Sequence, residues 1–248
     1  MTQALHRQAD GGSRSVRDLV EGLGLRTARG AGKRPRVVAA MIATADGRAA
    51  VQGRSVALGH PADRALLREL RTGADAILVG TSTLAAERYA TLLDPEQRAR
   101  RTAAGSAEHP LVATVSRRLA LPAGVPLFDE PGVPIVVFTE SDAALPRHGA
   151  ELQAERFAPG TLTLAGALER LGARGVRSVL CEGGPSLLAL LVAEGCLDDL
   201  LLTVSPLLAA GDAPSILEGA ALPEPARLRL REIHRADDHV FLHYGAGQ

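Results

Sequence analysis

Two adjacent glycines and a proline, Gly183-Gly184-Pro185, stand between two apolar runs and limit what this chain can become. Val176, Val179 and Leu180 lead into them as a strand; Leu187-Leu188-Ala189-Leu190-Leu191-Val192 leads out as a helix that stops at Gly195. Without Cβ atoms, the backbone N–H groups of paired glycines can approach a ligand closely. Pro185 suits a first helical turn, where its missing N–H is no loss. The helix start behind it, including Ser186, offers free donors and a positive dipole end to an anion such as a phosphate. Glu182 then places a carboxylate at the carboxyl end of the strand, the edge where open α/β sheets bind ligands. The same residues also suit a tight strand-to-helix turn with no ligand, and the motif alone does not choose.

With 248 residues the chain can form one large domain or two small ones. Hydrophobic residues make up 46% and aromatics only 2%, so a sizeable core must be built from Leu, Val, Ala and Ile. Lys and Arg (28) balance Asp and Glu (28), which argues against a dedicated nucleic-acid surface. Affinity for a phosphorylated ligand must therefore come from local arginines. Cys181 and Cys196 are too few for a disulfide framework or a four-thiolate zinc site, and a reduced, cytoplasmic setting is expected. The first thirty residues lack the apolar stretch of a secretory signal, and no run approaches a membrane span, so no membrane partner is expected.

Residues 1–34 read as a polar N-terminal extension, a partly mobile packing arm or oligomer contact. Within it Val16, Leu19, Val20 and Leu23 share one face of a short helix. Gly30-Ala31-Gly32-Lys33 suggests a phosphate loop, but Thr27 stands where the first glycine is needed and Arg34 where Ser or Thr should follow, so that reading fails. Residues 35–248 read as the main domain. Strands are expected at 36–42, 75–79, 111–115, 134–138, 176–180 and 197–204, with a short strand at 125–128 and an edge strand at 152–157. Helices are expected from His60 to Arg71, over 95–101, over 162–171 and from Leu187. Residues 228–234 and 239–244 alternate around Ala236-Asp237-Asp238 as an antiparallel hairpin. This order predicts an α/β fold: a central, mostly parallel mixed sheet flanked by helices, with an antiparallel C-terminal hairpin.

Successive strands end in small or hydroxyl residues: Thr44, Gly80 with Thr83, Ser116, Thr139, then Glu182-Gly183-Gly184. In a parallel sheet these ends line one crevice suited to a dinucleotide. Gly-x-Gly-x-x-Gly occurs nowhere, which disfavours a standard Rossmann unit. Taken singly, Asp46-Gly47 also suits a plain turn and Gly80 to Thr83 an ordinary helix cap. His234, His239 and His243 have no carboxylate cluster at ligand spacing, so no metal is expected. Cys181 reads as a strand-end packer, and Asp198 and Asp199 as the start of a strand.

An ordered series of motifs carries a family resemblance. It comprises Thr44-Ala45-Asp46-Gly47-Arg48, then Leu70-Arg71 with Asp75-Ala76-Ile77-Leu78-Val79-Gly80-Thr81-Ser82-Thr83, Glu182 to Leu187, Leu197-Asp198-Asp199-Leu200, and Pro206-Leu207 with Gly211. Over residues 35–244 the chain resembles the reductase domain of riboflavin biosynthesis, a dihydrofolate-reductase-like pyrimidine reductase. The zinc signature of the deaminase domain found in bifunctional members has no match here, so the resemblance implies a stand-alone form.

That resemblance implies NADPH-dependent reduction of 5-amino-6-(5-phosphoribosylamino)uracil, with hydride passing to ribose C1′ to give the ribitylamino product. It places Thr44 and Asp46 at the nicotinamide side of the cofactor, Gly80 and Thr83 in a second cofactor loop, and Ser116 at the adenosine 2′-phosphate end. Glu182, Gly183, Gly184, Pro185 and Ser186 match the pyrophosphate turn, with Glu182 also a partner for the uracil edge. Asp46 and Glu182 become the catalytic candidates, Asp46 as a proton relay. A homodimer is implied, with Leu200-Leu201-Leu202 and Pro206-Leu207-Leu208 as its contact. The chain departs from the family after Thr83: Ala85-Ala86-Glu87-Arg88-Tyr89-Ala90-Thr91 replaces a segment that carries an Asp pair and a proline. The substrate phosphate needs an arginine, for which Arg48, Arg54, Arg64 and Arg88 are candidates. The altered loop keeps open a reductase of dihydrofolate or another pterin, and, thirdly, a non-catalytic nucleotide-binding protein.

Overall fold

The computed structural model describes residues 4–7, 13–27 and 33–247; Gly30 to Gly32 of the rejected phosphate loop lie outside them. In chain order it contains β1 (Ala4–Arg7), β2 (Ser13–Ser15), α1 (Val16–Gly22), β3 (Arg36–Thr44), α2 (Pro61–Gly73), β4 (Ala76–Leu78), α3 (Thr81–Ala86) and α4 (Pro95–Ala103). There follow β5 (Leu111–Val115), β6 (Pro134–Thr139), β7 (Glu151–Arg156), α5 (Leu164–Ala173), β8 (Ser178–Cys181), α6 (Pro185–Ala193), β9 (Asp199–Ser205), β10 (Leu228–Ala236) and β11 (His239–Ala246). The strands form one eleven-stranded sheet in the order β2-β1-β10-β11-β9-β3-β8-β4-β5-β6-β7. From β9 to β7 neighbours run parallel. From β9 back through β11, β10 and β1 to β2 they run antiparallel.

Strand alternation divides the core between the two faces of the sheet. Val37, Ala39, Val179 and Leu200 point to one side, where Leu168 and Leu171 of α5 and Leu188 and Leu191 of α6 meet them. Val38, Leu180 and Leu201 point to the other, against Leu66 and Leu70 of α2 and Leu19 and Val20 of α1. Further along the sheet Ile77, Val79, Val112 and Ile135 pack on Leu127 and Phe128. Aliphatic side chains fill nearly all of this volume, as the composition requires.

Two local expectations are corrected, and the N-terminal extension gains detail. Residues 125–128 are not a strand: Pro126 starts a 3-10 turn over Pro126–Asp129 that buries Leu127 and Phe128, and proline cannot donate to a ladder. The extension contributes more than the expected helix at α1, because β1 pairs with β10 and extends the antiparallel edge. Leu200 and Leu201, expected at an oligomer contact, are core residues, whereas Leu207 and Leu208 beyond β9 are exposed. No helix among the described residues is long and apolar enough to cross a membrane.

Asp198 and Asp199 open β9 with ion pairs. Arg34 grips Asp198 through two nitrogens, and Arg36 donates to Asp199 Oδ2 while His243 bonds Oδ1 at 2.9 Å. At the end of α2, buried Arg101 of α4 donates to the carbonyls of Thr72 (3.0 Å), Ala74 (2.6 Å) and Ala107 (2.9 Å). Burial holds its pKa down, to about 10, against attraction from Asp75. One guanidinium thus caps carbonyls that the helix end leaves open. Arg101→Ala is expected to destabilise the protein by about 2–4 kcal/mol, read as a lower urea midpoint, because several buried acceptors lose their donor.

Candidate active site

The parallel strands bring their carboxyl ends together, and there a cavity of about 270 Å³ opens between β3, α2, α3 and the turn after β8. Ala40, Met41 and Ile42 of β3 and Leu66, Leu67 and Leu70 of α2 form its apolar wall. Asp63, Glu87, Tyr89, Glu182 and Thr203 bring polar groups to it, with Ser55, Ser82 and Thr83 adding hydroxyls.

Glu182 anchors one end. Its side chain is 2% exposed. Arg71, in the last turn of α2, meets it with two parallel bonds of 2.7 Å, from Nε to Oε1 and from Nη2 to Oε2. The Tyr89 hydroxyl donates to Oε2 as well, and the Arg71 guanidinium lies 5.2 Å from the Tyr89 ring centre. Burial opposes the Arg71 charge, but the Glu182 carboxylate outweighs it and holds the pKa above its ordinary value. Burial and the Glu182 charge together push the Tyr89 phenol well above 10. Tyr89 therefore stays a neutral donor. Among the described residues Oε1 accepts from Arg71 alone and keeps room for a second donor.

The turn beside Glu182 is packed too closely for side chains. Gly80 N donates to Gly183 O at 2.8 Å. A Cβ on Gly184 would lie 2.7 Å from Thr83 Oγ1, and one on Gly183 would lie 3.0 Å from Met41 Sδ at a φ of +77°. The Gly183–Gly184 peptide is cis. Gly184 caps α6 without a side-chain hydrogen bond, and Pro185 begins the helix. The start of α6 is thus left open toward the crevice.

Asp46 sits outside the cavity wall. Its carboxylate accepts from Thr44 Oγ1 at 2.5 Å and from Ala209 N (3.1 Å) and Ala210 N (2.8 Å). The Thr44 hydroxyl, then the two backbone donors, draw its pKa down to about 2. It is an ionised clasp between the loops after β3 and β9 and holds no proton to relay at neutral pH. The Thr44 hydroxyl is spent in the same loop, accepting from Arg48 N at 2.8 Å.

Among the expected site residues, the cavity gathers Thr83, Glu182, Gly184 and Pro185. Gly80 and Gly183 lie directly behind them. Ser186 is exposed on α6, and Ser116 donates to Ala120 O at 3.1 Å. Arg48 donates to Ala213 O, Arg64 to Gly59 O, and Arg88 is exposed at a φ of +49°. None of the three lines the cavity, and no lysine or arginine does among the described residues. Asp63, Arg71, Glu87 and Tyr89 carried no site role in the sequence reading. Asp63 read as part of a helix start, Arg71 as a motif letter, and Glu87 and Tyr89 as departures from a pattern. Only the fold puts Tyr89 beside a carboxylate 93 residues away.

Residues 35–242 match the RibD C-terminal domain family, and the chain belongs to that family. It is 27% identical over 219 residues to the 2,5-diamino-6-ribosylamino-4(3H)-pyrimidinone 5′-phosphate reductase of Methanothermobacter thermautotrophicus, covering 85% of this chain and 98% of that protein. The enzyme of the same name from Archaeoglobus fulgidus is 26% identical over 202 residues, covering 79% of this chain and 91% of its own. In three dimensions the chain is similar to a pyrimidine reductase-like protein of Corynebacterium diphtheriae, with a TM-score of 0.74, 26% identity and coverage of 86% of this chain and 92% of that one. The diaminohydroxyphosphoribosylaminopyrimidine deaminase/5-amino-6-(5-phosphoribosylamino)uracil reductase of Thermotoga maritima shares the fold at a TM-score of 0.70 and 22% identity, over 87% of this chain and 57% of the longer one.

Glu182→Gln is expected to cost roughly 3–5 kcal/mol in denaturant unfolding, because it leaves the Arg71 charge buried without its counter-charge. A loss below about 1 kcal/mol would show that water, not Glu182, compensates Arg71.

Proposed function

We propose that this protein is an NADPH-dependent reductase of a phosphorylated ribosylaminopyrimidine in riboflavin biosynthesis, delivering hydride to ribose C1′ to give the ribitylamino product. The observation that carries the reading is that Glu182, Gly184 and Pro185, from a turn inside the family match, line the cavity at the carboxyl edge of the sheet. The residues suit a dinucleotide. Side-chain-free backbone at Gly80, Gly183 and Gly184 and an uncapped start of α6 suit a pyrophosphate.

NADPH, when bound, supplies the hydride; the protein's part is to bind, orient and exclude water. Gly183, Gly184, Pro185 and Ser186 would hold the pyrophosphate, with Gly80 and Thr83 beside them and Ser116 further along the strand ends. The loop from Thr44 to Arg48, fixed by Asp46, would close the nicotinamide side. The apolar wall of Ala40, Ile42, Leu66 and Leu67 keeps water from the reacting carbons. Glu182, oriented by Arg71 and Tyr89, offers its open Oε1 position to the heterocycle. Arg48, Arg54, Arg64 and Arg88 stay candidates for the phosphate, and the family resemblance favours a homodimer, with exposed Leu207 and Leu208 as an apolar contact.

A pterin or dihydrofolate reductase is the second reading, favoured by one observation: Glu87 and Tyr89, from the segment that departs from the family, both line the cavity. The test is NADPH oxidation by purified protein with 2,5-diamino-6-ribosylamino-4(3H)-pyrimidinone 5′-phosphate, its deaminated uracil counterpart and dihydrofolate in parallel. Turnover of a pyrimidine and not of dihydrofolate is expected. Turnover of dihydrofolate alone would establish the second reading, and NADPH binding without any turnover would leave a nucleotide-binding protein.

A further inference from the structure

The turn between β10 and β11 reaches across to the start of α2, and two histidines make the join. His60 caps α2, its Nδ1 accepting from Ala62 N at 3.1 Å. That nitrogen therefore carries no proton, and Nε2 donates to Asp237 Oδ2 at 3.0 Å. Asp237 sits in the hairpin turn at a φ of +50°, with its side chain exposed. Two residues further on, His239 Nε2 donates to Leu58 O at 3.2 Å. The His60 and His239 rings lie 4.8 Å apart, tilted by 39°. A turn 177 residues beyond His60 thus holds both the helix cap and a carbonyl just ahead of it.

The segment held in this way borders the cavity. Val56–Leu58 forms a 3-10 turn, with Leu58 buried and Val56 exposed. Ahead of it, Ser55 lines the cavity and donates its N–H to Glu87 Oε1 at 2.7 Å. Behind it, Leu66 and Leu67 of α2 form part of the apolar wall. Residues 55–60 are therefore a strap, tied at one end to the loop after α3 and at the other to the hairpin turn. The backbone bonds inside the strap, Leu58 N to Ser55 O and Gly59 N to Val56 O, shape it but do not place it. Its place comes from buried Leu58 and from the two ties. Surface segments with so few long-range contacts open most readily when one is lost.

We propose that His60, Asp237 and His239 are positioning residues: the hairpin turn clamps the strap and the start of α2, and so sets where the α2 side of the cavity stands against the pyrimidine. This assignment rests on the reductase reading, which puts the heterocycle in the cavity and the cofactor pyrophosphate on the glycine turn after β8. The three residues line no part of the cavity and act through the strap and α2. Loosening the clamp therefore weakens the hold on the pyrimidine and leaves the glycine turn, and with it NADPH, undisturbed.

Three variants test the clamp. Asp237→Gly removes the acceptor and suits the positive φ. His239→Phe keeps a ring against His60 but has no N–H for Leu58 O. Asp237→Asn keeps a side-chain oxygen that accepts from His60. For each, kcat and KM are measured with 2,5-diamino-6-ribosylamino-4(3H)-pyrimidinone 5′-phosphate, its uracil counterpart and NADPH, and amide hydrogen exchange is followed over residues 55–66. In Asp237→Gly and His239→Phe the KM for the pyrimidine is expected to rise by roughly two- to tenfold, the scale of one hydrogen bond. The kcat and the KM for NADPH should hold, and residues 55–66 should exchange faster while α5 and α6 do not. Asp237→Asn should stay close to the wild type in both measurements. Unchanged exchange over residues 55–66, equal rises in KM for pyrimidine and NADPH, or an Asp237→Asn as impaired as Asp237→Gly would each overturn the clamp. If the wild type reduces neither pyrimidine, the reductase reading fails, and the exchange measurement alone decides whether the turn holds the strap.

Discussion

The Arg71–Glu182–Tyr89 contact holds the site together, because it joins three segments that the chain delivers separately. Arg71 ends α2, Tyr89 follows α3 and Glu182 follows β8. A buried carboxylate would not persist at the end of β8 alone; two guanidinium bonds and a phenol hydroxyl make it tolerable. Such a pair adds little net stability relative to an apolar replacement, but each member is costly to remove singly. The contact is therefore better understood as a positional lock. With Glu182 fixed, the glycine pair behind it has one place to go.

That place is crowded. Gly80, Gly183, Gly184, Thr83 and Met41 interlock so closely that side chains at the two paired glycines have no room. The absence of Cβ atoms thus lets two loops touch each other as well as leaving backbone open to a ligand. A second clasp works from the other side of β3. Asp46 bonds the loop after β9 through backbone donors, and its pKa of about 2 keeps it ionised at any ordinary working pH. One edge of the crevice is thus fixed by a buried ion pair and the other by an exposed carboxylate saturated with hydrogen bonds.

Much of this was legible in the sequence, and the reasons divide cleanly. Short parallel strands such as β4 and β8 are buried on both faces, so they read as apolar runs, and their small terminal residues mark the ligand edge. The glycine pair and Pro185 announce a close approach of backbone. By contrast, the role of a polar side chain depends on partners far along the chain. Arg71 and Tyr89 have no local pattern that pairs them with Glu182. Asp46-Gly47 shows no sign in the sequence of the three hydrogen bonds that make Asp46 a clasp, because two of them come from residues more than 160 positions away. Residues 125–128 misled because apolar character alone cannot separate a buried turn from a short strand.

The distribution of charge adds a last constraint on how a phosphorylated ligand can lie. Asp63, Glu87 and Glu182 line the cavity, and Arg71, the cation hydrogen-bonded to one of them among the described residues, is committed to Glu182. A phosphate placed inside would meet carboxylates in a poorly solvated space, where repulsion is strongest. The heterocycle can occupy that space, since its N–H and amino groups suit acceptors. A phosphate would be better placed beside exposed Arg54, which follows the cavity residue Gly53, or exposed Arg88, which stands between the cavity residues Glu87 and Tyr89. The segment that departs from the family pattern would then serve both ends of the ligand: Tyr89 steadies Glu182 inside, and Arg88, one residue earlier, faces solvent.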